Sequence, residues 1–358
     1  MCYNIKIKDK EVNKMSYYDG TKLLSLLDIN GDRPEIYICT TNRTGGKTTY
    51  FNRLMINRFL NRNEKFCLIY RYKYELDDIP NKFFKDIQGL FFPEHEMTAK
   101  LCGAGTFVEL FLNDVSCGYA ISLNSADMIK RYSHMFSDVG SMLFDEFQSE
   151  TNHYCPDEVK KLMSVHTSIA RGQGKQVRYV PIYMLGNPVS IVNPYYVELG
   201  IVSRLDQKTK FLKGEGFVLE QGYIESASNA QKESAFNKAF SKNKYLAYSA
   251  ENVYLNDNLA FIEKLSGRNK YLMTVKCNGI EFAIREYFVD GIVYCDYNVD
   301  SSFKLKITIN TQDFDKNYIM LTRNDFIIAT LRNFFEHGLF RFKDVRCKEC
   351  VLTLLGYM

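Results

Sequence analysis

Apolar residues in the first two hundred positions gather into short runs, separated by stretches of helical spacing. Runs at Ile36–Thr40, Phe66–Tyr70, Phe107–Leu112, Gly118–Leu123, Met142–Phe144 and Tyr179–Leu185 predict strands. Helices are predicted over Lys47–Leu60, Asn81–Phe84 and Pro156–Ala170. The last has proline in its first turn and Asp157 and Glu158 near its positive end, as helix starts prefer. Alternation of this kind predicts an α/β fold with a mainly parallel sheet between helices. Phe107–Leu112 and Gly118–Leu123, joined around Asn113-Asp114, read as an inserted hairpin. Gly103-Ala104-Gly105, just before it, reads as a turn.

From Asp206 to Asn258 the apolar periodicity fades, and Lys, Asn, Ser and Glu rise. This stretch reads as a linker or small helical subdomain, with a helix over Ala230–Phe240. Three β-rich runs follow, Tyr271–Cys277, Glu281–Phe288 and Ile292–Tyr297, separated by Asn278-Gly279 and Asp290-Gly291. Asn-Gly and Asp-Gly between such runs signal tight hairpins, so an antiparallel meander is expected, then a helix over Asn324–Glu336. The expected organisation is residues 1–205, a linking piece 206–260, and a small α/β domain 261–358.

At 358 residues the chain is long enough for two or three domains, and 46% hydrophobic with 25% charged residues is ordinary for globular proteins. No apolar stretch approaches the roughly 18 residues needed to cross a bilayer. Met1–Glu11 is charged and lacks an apolar signal core. Ten cysteines are scattered without a small-domain framework, which suggests reduced thiols. Cys347-Lys348-Glu349-Cys350 is a lone C-x-x-C and reads as structural. The five histidines form no ligand pattern. A net charge of +4 means that any nucleic-acid contact must use a local patch or a multi-subunit ring.

Two segments carry candidate chemistry. Thr41-Asn42-Arg43-Thr44-Gly45-Gly46-Lys47-Thr48, followed by Thr49, sits where the first strand should turn into a helix. Backbone N–H groups there can wrap phosphate oxygens, Lys47 can reach the β/γ-phosphates, and Thr48 can hold Mg²⁺. About a hundred residues later, the apolar run Ser141-Met142-Leu143-Phe144 ends in Asp145-Glu146. Asp145 is placed for the metal and its water shell, and Glu146 to polarise an attacking water. Thr41 departs from the G-x-x-x-x-G-K-[ST] pattern, which has glycine there, and Gly45 restores some freedom. Taken alone, Gly45-Gly46-Lys47-Thr48 also fits an ordinary turn before a helix. The strand, the helix and the paired acids together favour ATP hydrolysis.

Other residues are less specific by themselves. Asn187, after the strand that ends in Leu185-Gly186, is a candidate γ-phosphate sensor; a strand-ending turn is the plainer reading. Arg171 closes a helix, where an arginine usually complements the dipole but can serve as an arginine finger at a subunit edge. Arg71-Tyr72-Lys73 places basic groups at the sheet's carboxyl edge, where open α/β folds bind ligands.

Four strings carry a family resemblance. They are Lys65-Phe66-Cys67-Leu68-Ile69-Tyr70-Arg71-Tyr72-Lys73-Tyr74-Glu75-Leu76, Phe144-Asp145-Glu146-Phe147, Asn187-Pro188-Val189-Ser190-Ile191-Val192-Asn193-Pro194-Tyr195-Tyr196 and Phe261-Ile262-Glu263-Lys264. In this order they resemble the DNA-packaging ATPases of phi-29-like phages, compact relatives of the large terminases. The resemblance implies that Lys47 and Thr48 are the phosphate-loop lysine and hydroxyl, with Arg43 an arginine inside that loop. It implies that Asp145 holds the metal, Glu146 is the catalytic acid, and Arg171 acts in trans. Lys73 and Lys130 match basic residues at subunit boundaries. Thr41 and Thr44 stand where the family has glycines, which bears on nucleotide affinity more than on the fold.

The resemblance also implies a ring of five subunits at the portal vertex of an empty capsid in the host cytoplasm. Such a ring drives double-stranded DNA inward with ATP and Mg²⁺, with a structural packaging RNA among its candidate partners. The C-terminal domain is expected to be similar to an RNase H-like nuclease without a cutting site. Tyr271–Cys277 has no carboxylate where a two-metal nuclease would need one, while Asp290, Asp296 and Asp300 could be mistaken for a cluster. The rival readings are another ring-forming translocase or helicase, and an inert scaffold that docks a portal or nucleic acid.

Overall fold

The structure, a computed structural model, describes residues 17–150, 153–190, 193–201, 204–205, 209–240, 249–250, 261–277, 279–322 and 324–356. The expectations for Met1–Glu11, Ile191-Val192, 206–208, 241–248, 251–260 and Asn278 lie outside the described residues. The described residues divide into two compact units, each discontinuous in sequence. The first draws on Met1–Phe147, Val165–Pro188 and Lys213–Val253, the second on Gln148–Ser164, Val189–Leu212 and Tyr254–Met358.

Nine strands form one sheet: β1 (Ile36–Thr41), β2 (Lys65–Tyr70), β3 (Met97–Cys102), β4 (Phe107–Leu112), β5 (Val115–Ser122), β6 (Val139–Phe144), β7 (Ile182–Gly186), β8 (Phe211–Gly214) and β9 (Phe217–Gly222). Their order is β3-β4-β5-β2-β6-β7-β1-β9-β8. From β5 through β2, β6, β7 and β1 to β9 every pairing is parallel. Parallel strands are covered on both faces, which is why these read as continuous apolar runs. The helix Lys47–Arg62 buries Phe51, Met55, Ile56 and Phe59 along one side. They share a core with Tyr37 and Cys39 of β1 and Tyr183 and Leu185 of β7. Each such side chain contributes about 1.5–3 kcal/mol when fully buried, so this face holds the helix start against the end of β1.

The expected hairpin is present as β4 and β5, and its turn residues Asn113 (φ 48°) and Asp114 (φ 62°) are both left-handed. That is the geometry a two-residue hairpin turn prefers. Strand β3, outside the expected set, pairs antiparallel with β4 at the sheet edge. Only Met97 of it is buried, so it has no apolar alternation to read.

The stretch expected as a linker also contributes to the sheet, a correction to the reading of residues 206–258. β9 is buried along its whole length and pairs parallel with β1 from Ile36↔Phe217 to Thr41↔Gly222. Its Glu220 and Gln221 disguise it, because polar side chains in a buried strand break the apolar run. The Ala230–Phe240 helix is two helices, Glu225–Glu233 and Ala235–Ala239. Ser234 breaks them, its hydroxyl accepting from the Asn237 amide at 3.2 Å.

The second unit carries a six-stranded sheet: β10 (Lys270–Cys277), β11 (Ile280–Tyr287), β12 (Ile292–Asp296), β13 (Lys306–Thr308), β14 (Ile319–Met320) and β15 (Phe340–Phe342). The order is β14-β13-β10-β11-β12-β15, with the expected antiparallel meander at its centre. Helices Phe326–Glu336 and Val345–Leu355 supply Ile328, Leu331, Val351 and Leu354 to its core. Cys347 and Cys350 lie three apart on the second helix and are both buried in that core. Asp296 is ion-paired with Arg285 at 3.2 Å, Asp300 accepts from Ser302, and Asp290 stands in the turn before Gly291.

Candidate nucleotide site

The loop between β1 and the helix Lys47–Arg62 is shaped from both sides. Gly46 takes φ 86° immediately before the helix, a left-handed backbone that glycine adopts without strain. Thr44 also lies in this region, at φ 63°. Its hydroxyl donates to the Arg43 carbonyl at 2.7 Å and accepts from Gln231 Nε2 at 2.8 Å. Gln231 Nε2 also donates to the Arg43 carbonyl at 3.0 Å. These bonds offset the cost of an unusual conformation at a residue with a side chain.

Thr41 needs no glycine-like freedom, because it is the last residue of β1 and pairs with Gly222. A Cβ on Gly222 would lie 3.0 Å from the Thr41 methyl, so the small residue sits on the partner strand instead. Asn42 is buried, and its side chain faces the protein. Its Oδ1 accepts from the Ile224 amide at 2.8 Å, and its Nδ2 donates to the carbonyls of Ile224 at 3.0 Å and Ala250 at 3.4 Å. Tyr18 straps the loop from the other side: its amide donates to the Gly45 carbonyl at 2.8 Å, and its hydroxyl to Glu220 at 2.7 Å. Burial pushes the Tyr18 phenol far above its ordinary pKa, so it stays a donor.

Lys47, Thr48 and Thr49 form the first turn of the helix. First-turn amides have no carbonyl within the helix to bond and sit at the positive end of its dipole. Lys47 is 8% exposed and lines the cavity at this helix start. Behind it, burial pushes the Cys39 thiol up to about 12 against the opposing influence of Lys47, so Cys39 is a neutral core residue.

The acids arrive from β6. Asp145 Oδ2 accepts the Thr48 hydroxyl at 2.8 Å, and its Oδ1 accepts the Glu146 amide at 2.9 Å. Glu146 has φ 56°, an uncommon backbone for a long side chain. Arg71 braces this turn from below, donating to the carbonyls of Phe147 at 2.8 Å and Glu146 at 3.4 Å. The basic trio is thus divided: Arg71 is buried as a backbone clamp, and Lys73 is exposed beside the Gly103-Ala104-Gly105 turn.

Strand β7 lies between β1 and β6, so Asn187, which follows it, emerges between the loop and the acids. Residues 41–49, Asp145, Glu146 and Asn187 all line one cavity of about 830 Å³. Tyr17, Tyr18, Tyr50, Arg53, Leu90 and Phe91 complete the wall and were not singled out in the sequence. Lys73, Lys130 and Arg171 are not among its lining residues. Lys130 pairs with Asp127 at 3.1 Å, and Arg171 is exposed and donates to Ser133 Oγ at 2.8 Å.

The oxygen donors of Thr48 and Asp145 converge, and hard oxygen donors suit Mg²⁺, which takes few protein ligands and keeps water and phosphate for the rest. The cavity can therefore accept a polyanion at the helix start, a divalent cation beside it, and a water next to Glu146.

The family model of the podovirus DNA encapsidation protein (Gp16) matches residues 12–357. A DNA packaging protein of Bacillus phage phi29 is 28% identical over 351 residues, 97% of this chain and 99% of that one. That of Bacillus phage B103 is 27% identical over 308 residues, 84% of this chain and 89% of the other. The solved bacteriophage Phi-29 viral genome packaging motor assembly contains a chain that superposes with a TM-score of 0.63 at 24% identity. It covers 95% of this chain and 99% of that one, a likeness of fold. With nearly its whole length matched, this chain belongs to the podovirus DNA encapsidation protein (Gp16) family.

Proposed function

We infer that this chain is an ATP-driven motor subunit that moves viral double-stranded DNA into an empty capsid. The observation that carries the reading is the 2.8 Å hydrogen bond from Thr48 to Asp145, which joins the phosphate-loop helix to the acid-bearing strand inside one cavity. In this reading the amides of the helix start and Lys47 hold the β- and γ-phosphates. Thr48 and Asp145 would hold Mg²⁺, which when bound neutralises charge spread over those phosphates. Glu146 orients a water and takes its proton as the water oxygen bonds to the γ-phosphorus. The bond from that phosphorus to the bridging oxygen breaks, and ADP leaves with the electron pair. Asn187 senses the γ-phosphate.

Arg171 acts on the site of a neighbouring subunit, with Lys73 and Lys130 at the same boundaries. Its exposure, and its place away from its own cavity wall, support a role in trans. The assembly proposed is a five-membered ring at the portal in the host cytoplasm, with a packaging RNA as a further candidate partner. DNA is gripped through its phosphates without sequence readout. Residues 261–358 serve docking rather than cutting, a reading supported by the Arg285–Asp296 pair, which occupies one of the suspect carboxylates.

The test is steady-state ATP hydrolysis with and without double-stranded DNA and empty portal-bearing capsids, beside Glu146→Gln and Arg171→Ala. Turnover that rises with capsids, vanishes in Glu146→Gln, and is lost in assembled Arg171→Ala with ATP binding retained is the expected result. Turnover raised by DNA alone would favour a general translocase. No turnover under any condition would favour the scaffold.

A further inference from the structure

We propose that Arg53 and Phe91 form the seat on which the nucleobase of the bound nucleotide stacks; this rests on the nucleotide reading of the cavity and names its base-binding part. The Arg53 guanidinium carbon lies 4.4 Å from the Phe91 ring centroid. Both residues line the cavity that holds Lys47 and Thr48. Arg53 comes from the phosphate-loop helix itself, six residues beyond Lys47, or about 9 Å of helical rise. Phe91 ends the helix Lys85–Phe91, which packs beside it.

The wall has the composition of a stacking surface. Phe91 is 39% exposed, Leu90 71% and Tyr17 68%, so three large apolar side chains of this cavity remain open to water. Elsewhere the cavity is lined by the more buried Tyr18 and Tyr50 and by hydroxyls, backbone and charge, which suits a triphosphate but leaves this open apolar wall without a use. A planar base with a π-face supplies one. The guanidinium is flat and stacks on aromatic faces, so one face can rest on Phe91 while the other receives a base. Phe91 is backed by Phe92 in an edge-on contact at 6.4 Å, and Phe92 by Phe84 at 6.1 Å. Phe92 and Phe84 are both buried, so the platform is anchored in the core before any ligand arrives. The wall side chains Arg53, Leu90 and Phe91 offer faces rather than an edge-reading pattern, so the seat holds the base by its plane.

The chain contains no tryptophan, so Phe91→Trp places a single indole on the platform. In the full-length chain, ATP should change that indole's fluorescence, whereas inorganic tripolyphosphate, which has no base, should bind without doing so. Phe91→Ala, Phe91→Leu and Arg53→Ala should each weaken ATP binding by roughly 5- to 150-fold, the range of one lost base stack, while tripolyphosphate affinity stays within about twofold. Retained tripolyphosphate binding also reports that each variant has folded around an intact phosphate loop. Identical indole responses to the two ligands, or unchanged ATP affinity in all three variants, would overturn the proposal. A wild-type chain that binds tripolyphosphate as tightly as ATP would also refute the seat while sparing the nucleotide reading. Binding of neither ligand would refute the nucleotide reading itself.

Discussion

Asn42 offers the sharpest separation between a residue that touches the nucleotide and one that builds the loop. By position in the motif it belongs to the phosphate cradle, yet its side chain is buried against Ile224 and Ala250. Replacing it with alanine removes two well-formed hydrogen bonds, at 2.8 and 3.0 Å, and a longer one at 3.4 Å. The two good bonds are worth about 1 kcal/mol each, and stranding the Ile224 amide adds about 1 kcal/mol or more, so the expected loss is about 3 kcal/mol. For a cooperative unit of this size that lowers the unfolding midpoint by about 6–12 °C. The assay is thermal unfolding followed by far-UV circular dichroism, beside ATP binding measured well below the midpoint. The expected outcome is a large drop in midpoint, with ATP affinity near wild type once the chain is folded. Asn42→Asp should be worse than alanine, because it keeps the acceptor but sets a carboxylate against two carbonyl oxygens. An unchanged midpoint with ATP binding abolished would refute the reasoning, since the side chain would then address the ligand rather than the fold.

Gly222→Ala should cost about 1–3 kcal/mol by crowding the Thr41 methyl at 3.0 Å, and adding Thr41→Ser should restore most of it. Urea midpoints of the two single variants and the double variant decide this, and strictly additive losses would contradict it. Burial pushes the Glu349 carboxyl up to about 7, with Arg346 opposing. The folded state therefore keeps a proton that the unfolded state has lost, so stability falls as pH rises from about 4.5 to 7, and below that window both states are protonated. With solvent screening of a partly exposed group, Glu349→Gln should gain about 1–2 kcal/mol at pH 8 and nothing at pH 4, read from thermal midpoints; equal gains at both pH values would refute the assignment. Arg71→Lys should lower ATP turnover about tenfold at unchanged ATP affinity, because one ammonium cannot span the Glu146 and Phe147 carbonyls as the guanidinium fork does. Loss of binding with full turnover at saturation would count against a positioning role.

What was legible in the sequence was what is local. Ile36-Tyr37-Ile38-Cys39 reads as a strand because both faces of β1 are covered, and the phosphate loop and the paired acids each sit within a few consecutive residues. What escaped depends on partners far along the chain. β9 was hidden by Glu220 and Gln221, tolerable in a buried strand because Tyr18 donates to that glutamate. Arg53 and Phe91 carry no shared motif, and only the packing of two helices brings them to one wall. Asn42 lines the cavity from within the motif, yet its side chain bonds Ile224 and Ala250, because a motif gives the position of a residue but not the direction of its side chain.

Thr41 makes the same point in reverse. Read along the chain, it is a missing glycine and a weakened loop. Across the sheet, it ends an ordinary extended strand, and the space its methyl needs is supplied by Gly222. Thr44 is the costlier departure, because its backbone does enter the left-handed region, and Gln231 supports it there. The two departures look alike in a motif comparison and differ physically: Thr41 requires space on a neighbouring strand, Thr44 a tolerated strain. A glycine restored at Thr44 would therefore relax the loop, whereas one restored at Thr41 would leave a gap beside Gly222.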